Sequence, residues 1–450
     1  MANRATLDEQ VPASMSIARQ SAPAGDADRN LPVESDLEIH KAINAILRLS
    51  LEPASLEELL SKTLDLLFSI SWIALESKGA VFLVENEPGV LVMKAQRGLG
   101  PAHAAYCRKV PFGDCLCGRA AGTCQMVFAD RVDSRHDRHY PGMSPHGHYC
   151  VPMISDGETV GLINLYVAEG HRRTAKEELF LSSVANTLVS AVRRKRTEES
   201  LRQREAQLMA AQAIQKQLLP RSAPRLPGFD VAAGWYPSEL VSGDYFDYLP
   251  MPDGSTAFVI GDVTGHGLAP ALLTASTQSL LRLLVRTSAD LSGILAMANS
   301  ILAQEIDDDR FVTLFLGKLE PGTRSFAYAS AGHPSGYVLD ASGGMRARLA
   351  STALPLSVLP DGEFPTGDPI ELQNGDLVLL LTDGVLDARS SRDASFGAQR
   401  VLDCVRQTRR LSAREIHESL HRAITEFCGR EEPLDDMTAV VIKVEEAQAV

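Results

Sequence analysis

Four times in the second half of this chain, a strand-length apolar run meets a carboxylate. The runs are LVSGDYFDYLP (Asp244, Asp247), TAFVIGDVTGHG (Asp262), DLVLLLTDGVLDA (Asp383) and PLDDMTAVVIKV (Asp435, Asp436). A strand buried on both faces cannot keep a bare carboxylate in its middle, because desolvating the charge costs too much. The acids must therefore lie at strand ends. Several such ends gathered together make a hard, oxygen-lined site of the kind Mg²⁺ or Mn²⁺ prefers. Taken singly, each acid also reads as a turn residue, since Asp-Gly after a strand is ordinary hairpin chemistry.

A chain of 450 residues is too long for one ordinary core, and its 45% of hydrophobic residues suits two or three folded domains. The formal charge of -13, with no long Lys/Arg block, argues against nucleic-acid binding. The start, MANRATLDEQVPASMS, has no apolar signal region, and no uncharged apolar run reaches membrane-spanning length. A cytoplasmic protein without membrane contact is expected.

Residues 1–34 are rich in Ala, Ser, Asp and Pro without periodicity and read as a disordered tail. From Ser35, Leu37, Ile39, Ile43, Ile46 and Leu47 form a helical stripe, and Ser55 to Glu58 form a capping box that opens a second helix. Strand-like runs follow at 80–84, 90–95, 126–130, 149–154 and 159–167, the last two joined by Ser155-Asp156-Gly157, a hairpin signal. A helix is expected from about Thr174 to Val192. This order, with FGDCLCGRAA at 112–121 and HGHYCVPMISDGETVGLINLY at 146–166, resembles a GAF domain, a small-molecule sensor module, over residues 35–192.

The charged, glycine-free segment 193–220 reads as a signalling helix. Leu201, Leu208, Ala211, Gln215 and Leu218 fall on one seam that could pair with its copy in a homodimer. A solvated linker helix is the plainer reading.

Five of the seven cysteines (Cys107, Cys115, Cys117, Cys124, Cys150) fall in one third of the chain. In a reducing compartment that clustering argues for thiols or a metal site over disulfides. Cys115 and Cys117 form C-x-C; His146, His148 and Cys150 form H-x-H-x-C and share one face if the strand extends that far. Such a set suits Zn²⁺ or an iron–sulfur centre, while pocket lining or plain packing is the alternative.

Over residues 221–450 the segments GDYFDYLP, VIGDVTGHGLAPALL, FVTLFLGKLE, YASAGHPSGYVL, LLLTDGVLDA and DDMTAVVIKV, preceded by IQKQLLP, resemble the SpoIIE/RsbU-type serine phosphatases of the PPM (protein phosphatase 2C-like) class. The resemblance implies an α+β chain in which the GAF domain precedes a sandwich of two antiparallel sheets flanked by helices. It implies two Mn²⁺ or Mg²⁺ ions at one sheet edge, with Asp262 bridging them and Asp244, the Val263 carbonyl, Asp383 and Asp436 completing the set. Gly261 and Gly265 would let the backbone approach the ions. Ser242 departs from the family's usual glycine. The implied reaction is in-line attack of water on a phosphoserine or phosphothreonine, without a phosphoenzyme, on an anti-sigma-factor antagonist of the STAS type, under GAF control. A catalytically silent sensory scaffold is the competing class; a metal-dependent phosphodiesterase or nucleotide hydrolase would need a Gly-rich phosphate cradle or His-rich ligands. His266 and His333 read as general-acid candidates or, more plainly, as structural groups beside the site; Asn299, Thr313 and Thr438 read as supports of the fold.

Overall fold

The computed structural model describes residues 31–445, apart from Tyr140, Pro141, Asp308 and Glu431. The expected tail, 1–34, therefore lies outside the described residues except for its last four, which are helical. Pro32 is compatible with that early start, because a first-turn residue has no intrahelical use for an N–H. The chain divides into two compact units, Met1–Leu201 and Arg202–Val450.

In the first unit α1 (Leu31–Leu51), α2 (Leu56–Phe68), α3 (Pro101–Tyr106) and α4 (Cys115–Thr123) accompany six strands. These are β1 (Leu75–Val84), β2 (Val90–Arg97), β3 (Lys109–Pro111), β4 (Val127–Ala129), β5 (Gly147–Ser155) and β6 (Glu158–Val167), in sheet order β3-β2-β1-β6-β5-β4. Side chains alternate across β1: Val81 and Leu83 meet Leu60, Leu64 and Phe180 on one face, while Ala80 and Phe82 meet Leu116 and Ala120 of α4 on the other. At the start of α2 the Ser55 hydroxyl accepts from Glu58 N–H and the Glu58 carboxylate accepts from Ser55 N–H, a reciprocal cap worth about 1 kcal/mol. Asp156 (φ 54°) and Gly157 (φ 85°) turn β5 into β6 with the positive φ values that a tight hairpin demands. A single helix, α5, then runs Ala175–Leu218, so the expected boundary at 192/193 falls inside continuous helix.

Among the described residues the second unit holds ten strands: β7 (Phe229–Tyr236), β8 (Asp244–Pro250), β9 (Thr256–Val263), β10 (Val312–Glu320), β11 (Ser325–Ala331), β12 (Gly336–Leu339), β13 (Met345–Leu349), β14 (Ile370–Glu371), β15 (Leu377–Leu381) and β16 (Met437–Val444). Its later helices are α6 (Leu268–Thr287), α7 (Leu291–Glu305), α8 (Asp383–Leu386), α9 (Gly397–Thr408) and α10 (Ala413–Cys428). Two antiparallel sheets form, β14-β11-β10-β9-β8 and β13-β12-β15-β16-β7.

Their shared interior is built from Phe246, Phe258, Ile260 and Phe315 of one sheet and Val338, Leu380, Val440 and Ile442 of the other. The opposite faces are covered as well: Val259 and Leu314 pack with Leu281 and Leu295 of α6 and α7, and Leu379 and Val441 with Val401 and Ile416 of α9 and α10. Coverage on both faces explains why β15 reads as an unbroken apolar run. Among the described residues α6 is long and apolar enough to cross a membrane; here Ala271, Leu281 and Val285 are buried within its own unit.

Candidate metal centre

The acids meet where the strand ends of the two sheets come together. Asp244 and Asp262 are register partners on β8 and β9, so their side chains emerge together on one face. That face is the inter-sheet one, shared with Phe246 and Ile260. From the other sheet, the Thr382 hydroxyl donates to Asp244 Oδ2 at 2.7 Å. Thr438 N–H donates to Thr382 Oγ1 at 2.9 Å, and Thr382 N–H to the Thr438 carbonyl at 3.0 Å, locking the end of β15 onto β16.

Asp436, just before β16, accepts from Ser238 N–H (2.7 Å) and hydroxyl (2.8 Å) on Oδ1, and from Gly243 N–H (2.8 Å) on Oδ2. The Val263 carbonyl faces Gly243 closely: a Cβ on Gly243 would sit 2.7 Å from that oxygen and 3.0 Å from Asp262 Oδ1. Two oxygens thus converge on a spot that only glycine leaves open.

These carboxylates repel one another. Burial and then the Asp262 charge hold Asp244 well above the usual carboxylate range. Asp262 is pushed up to about 7, by burial first and then by Asp383, Asp435 and Asp436. Asp383 rises through partial desolvation and the Asp435 charge; Asp435 rises through desolvation and Asp436. Among the described residues none of the five forms a salt bridge to Lys or Arg. An acidic cluster of hard oxygens without a cationic side chain fits divalent cations such as Mg²⁺ or Mn²⁺. Among the described residues, no three of these acids bring one donor oxygen each to within 4.8 Å of one another, a wider spread than a single-ion cage. Ligands divided between two cations about 3.5–4 Å apart would be spaced in that wider way.

A carboxylate that held a cation would have to be ionised, so protons would compete with a cation at Asp262. The raised value means that the metal-free fold disfavours the charged carboxylate, which takes up a proton as pH falls through about 7. Apparent Mn²⁺ affinity, read by titration calorimetry, is therefore expected to fall by up to about tenfold per pH unit below about 7 and to flatten above about 8. A flat profile across that window would detach Asp262 from the cation.

The other singled-out residues sit as follows. Asp247 lies on the helix side of β8, where its Oδ2 accepts from Arg282 Nε (2.7 Å) and Gln278 Nε2 (3.2 Å), apart from the acidic cluster. His333 is buried, with Nδ1 3.0 Å from Thr313 Oγ1, and burial lowers it to about 3, so near pH 7 it is a neutral imidazole rather than an acidic imidazolium. His266 is exposed, with Nδ1 2.8 Å from Glu239 Oε1. Asn299 donates to the carbonyls of Leu359 and Pro360 and accepts from Ser357 N–H, tying down a loop. Thr382 and Ser238 are the additions that sequence reasoning passed over; Asp435 was named there among the strand-end acids but left out of the metal set.

In the first unit the predicted Cys/His set separates into two layers. Cys117 Sγ and Cys150 Sγ lie 3.7 Å apart, and that contact together with burial holds the Cys117 thiol far above its usual range, protonated rather than thiolate. Burial also raises Cys115. Asn164 Oδ1 lies 3.7 Å from Cys150 Sγ and 3.0 Å from His148 Nδ1, standing between the thiols and the imidazole. Burial, reinforced by His146 and His136, keeps His148 neutral. His146 and His148 are instead joined by His136, which the sequence reading did not single out.

The chain matches the sequence model of the SpoIIE family, Stage II sporulation protein E, over residues 252–445, and that of the GAF domain over residues 53–193. Asp262, Asp383 and Asp436 lie inside the first match and Asp244 just ahead of it. Protein IcfG of Synechocystis sp. is 28% identical over 264 residues, 52% of this chain and 41% of that protein. Phosphoserine phosphatase RsbU of Bacillus subtilis is 28% identical over 185 residues, 41% of this chain and 55% of RsbU. The chain thus spans about half the length of these curated relatives. The SiaA-PP2C domain of Pseudomonas aeruginosa aligns with 54% of this chain and 98% of its own, at 22% identity and a TM-score of 0.49. Residues 53–193 are thus similar to the GAF domain, and residues 252–445 to the SpoIIE family.

Proposed function

We propose that the second unit is a metal-dependent phosphatase that removes phosphate from serine or threonine side chains of a protein. The observation that carries this reading is the convergence of Asp244, Asp262, Asp383, Asp435 and Asp436, with no salt bridge to Lys or Arg among the described residues. Two Mn²⁺ or Mg²⁺ ions would be held by Asp244, Asp262, the Val263 carbonyl, Asp383 and Asp436. Bound there, the cations supply the positive charge that a phosphate dianion and an attacking water require.

The chain's own part is positional. Thr382 fixes the rotamer of Asp244, and Ser238 and Gly243 fix that of Asp436. Asp383 and Asp435 are exposed, leaving the cluster open to a phosphorylated side chain on a large partner. The substrate we assign is a phosphorylated STAS-type anti-sigma-factor antagonist in the cytoplasm. The name phosphoserine phosphatase carried by RsbU supports the reaction class.

The test is phosphate release by the full chain, with and without Mn²⁺, from a phosphoserine peptide, a phosphorylated STAS protein and a phosphodiester. Metal-dependent release from the first two is expected. Folded protein that binds Mn²⁺ yet hydrolyses none of them would leave the scaffold reading in place.

We further infer that the GAF domain regulates this activity through α5 in a homodimer. In the last turn of α5 the Gln215 carboxamide accepts from Ser242 N–H (3.1 Å) and donates to its carbonyl (2.6 Å), two residues before Asp244. Any rotation of that turn bears directly on the acidic strand end. This bonding also uses up part of the expected seam, since Gln215 is buried and Leu208, Ala211 and Leu218 are half-buried. Leu201, Met209 and Ile214 remain exposed for a second copy. The full chain is expected to sediment as a dimer, and a Leu201→Glu, Met209→Glu variant to shift toward monomer; a wild-type monomer at tens of micromolar would count against the pairing.

A further inference from the structure

One place in the first unit brings together three imidazoles, each with a buried ring nitrogen that has no hydrogen-bond partner among the described residues. His136, His146 and His148 are 6%, 2% and 3% exposed. One ring nitrogen from each lies within 4.8 Å of the other two. The buried nitrogens left without a hydrogen-bond partner are His136 Nδ1, His146 Nε2 and His148 Nε2.

The tautomers of two rings are fixed from outside. His146 Nδ1 lies 2.6 Å from the Ser144 carbonyl, and His148 Nδ1 lies 3.0 Å from Asn164 Oδ1. Each Nδ1 is therefore the protonated, donating nitrogen, and each Nε2 presents a bare lone pair. Metal-bound histidines are held in the same way, with the far nitrogen donating to a carbonyl or amide that orients the ring.

The third ring sits on a pinned loop. His136 N–H donates to the Asp133 carbonyl, Arg135 reaches the Phe128 carbonyl, Asp137 accepts from Cys115 N–H, and Arg138 pairs with Asp114. His148 lies on β5 opposite Tyr166 of β6, so strand pairing fixes its place.

We propose that His136, His146 and His148 form a tri-histidine site for a borderline first-row divalent cation of the Zn²⁺ class. Three neutral nitrogen donors suit such ions rather than the oxygen-seeking Mg²⁺ and Mn²⁺ of the acidic centre. For metal–nitrogen bonds of about 2.0–2.1 Å in tetrahedral geometry the nitrogens would stand about 3.3 Å apart, a closure within reach of small ring rotations. Three protein ligands leave one coordination position open for a small exogenous ligand. The thiols take no part: Asn164 separates Cys117 and Cys150 from the nitrogens.

The experiment uses the full chain, stripped with a chelator and dialysed against Zn²⁺ with excess Mg²⁺ present to occupy the acidic centre. Wild type and the Asp262→Asn variant are both expected to retain close to one equivalent of Zn²⁺. The His148→Gln variant, and His136→Gln on the loop should His148→Gln fail to fold, are expected to bind at least ~100-fold more weakly, and Asn164→Ala ~10–100-fold more weakly. Co²⁺ in place of Zn²⁺ is expected to give visible ligand-field bands without a thiolate charge-transfer band. The proposal is overturned by less than about a tenth of an equivalent in wild type, by full Zn²⁺ retention in a folded His136→Gln variant, or by a thiolate band.

Discussion

Replacing Asp262 with asparagine is expected to lower phosphatase turnover at least ~10³-fold, about 4 kcal/mol of transition-state stabilisation, with the fold intact. The substitution is nearly isosteric, and the half-buried side chain stands at the end of β9 rather than in the core. What it removes is the carboxylate crowded by Asp383, Asp435 and Asp436. The sign of the stability effect follows from that crowding. A carboxylate whose value is raised in the fold, by burial first and then by its acidic neighbours, is a net liability above its unfolded range, so neutralising it relieves the metal-free protein near neutral pH. Turnover on a phosphoserine peptide at saturating Mn²⁺ should collapse while the metal-free melting temperature holds or rises.

Asp383→Asn should lose activity similarly. Asp436→Asn should lose activity and also stability, because an amide nitrogen cannot accept the bond from Gly243 N–H or those from Ser238, and an unmatched buried donor costs about 1–3 kcal/mol. Asp247→Asn should weaken the pairing with Arg282 and touch turnover only mildly. Near-normal turnover by Asp262→Asn at saturating Mn²⁺ would remove this residue from the chemistry.

The acids were legible in the sequence for one physical reason: desolvation confines a carboxylate to the end of a doubly covered strand. That rule located Asp262, Asp383 and Asp436 before any geometry was known. It could not locate Thr382 or Ser238, whose contribution is a hydrogen bond set by how β15, β16 and the loop before β8 meet in space. The same limit hid His136. It lies in a loop with no periodicity, and its tie to His146 and His148 arises from folding of that loop over β5. The C-x-C and H-x-H-x-C spacings single out His146 and His148 together with thiols, but not the His136 that meets the two imidazoles. Alternation along β5 does place His148 and Cys150 on one face, but the Asn164 side chain from β6 divides them, and a cross-strand neighbour is invisible to a one-dimensional pattern. α4 was missed because CLCGRAAGT is too rich in small residues to show a stripe; it forms by packing Leu116, Ala120 and Ala121 on the sheet. The seam on α5 was misjudged at Gln215, a polar residue in an apolar pattern whose carboxamide bonds backbone, not another helix.

Gly384→Ala is expected to cost turnover ~10²-fold although alanine is the better helix former. Gly384 lies in the first turn of α8, directly after Asp383, and a Cβ there would stand 2.0 Å from the Asp436 carbonyl oxygen and 2.9 Å from its carbon. Neither atom can swing aside as a long side chain would. Asp436 carries both ends of the conflict, since its carboxylate is bonded to Ser238 and Gly243 while its carbonyl meets the new methyl. Beyond it, β16 is locked to β15 through Thr438 and Thr382. The strain must therefore open the gap between α8 and the start of β16, which moves Asp383 away from Asp436, and a shift of about 1 Å at a reacting centre is enough for a loss of ~10². Overpacking of this kind also costs about 1–3 kcal/mol of stability. Gly322→Ala is the control: it is another non-positive-φ glycine of this unit, with nothing within 4 Å of its added methyl, so turnover and melting temperature should stay at wild type. Turnover is to be measured across a Mn²⁺ series, because separated ligands should weaken apparent Mn²⁺ affinity as well as the maximal rate. Wild-type rate and wild-type Mn²⁺ dependence in Gly384→Ala would mean that the contact between α8 and β16 does not set the spacing of the acids.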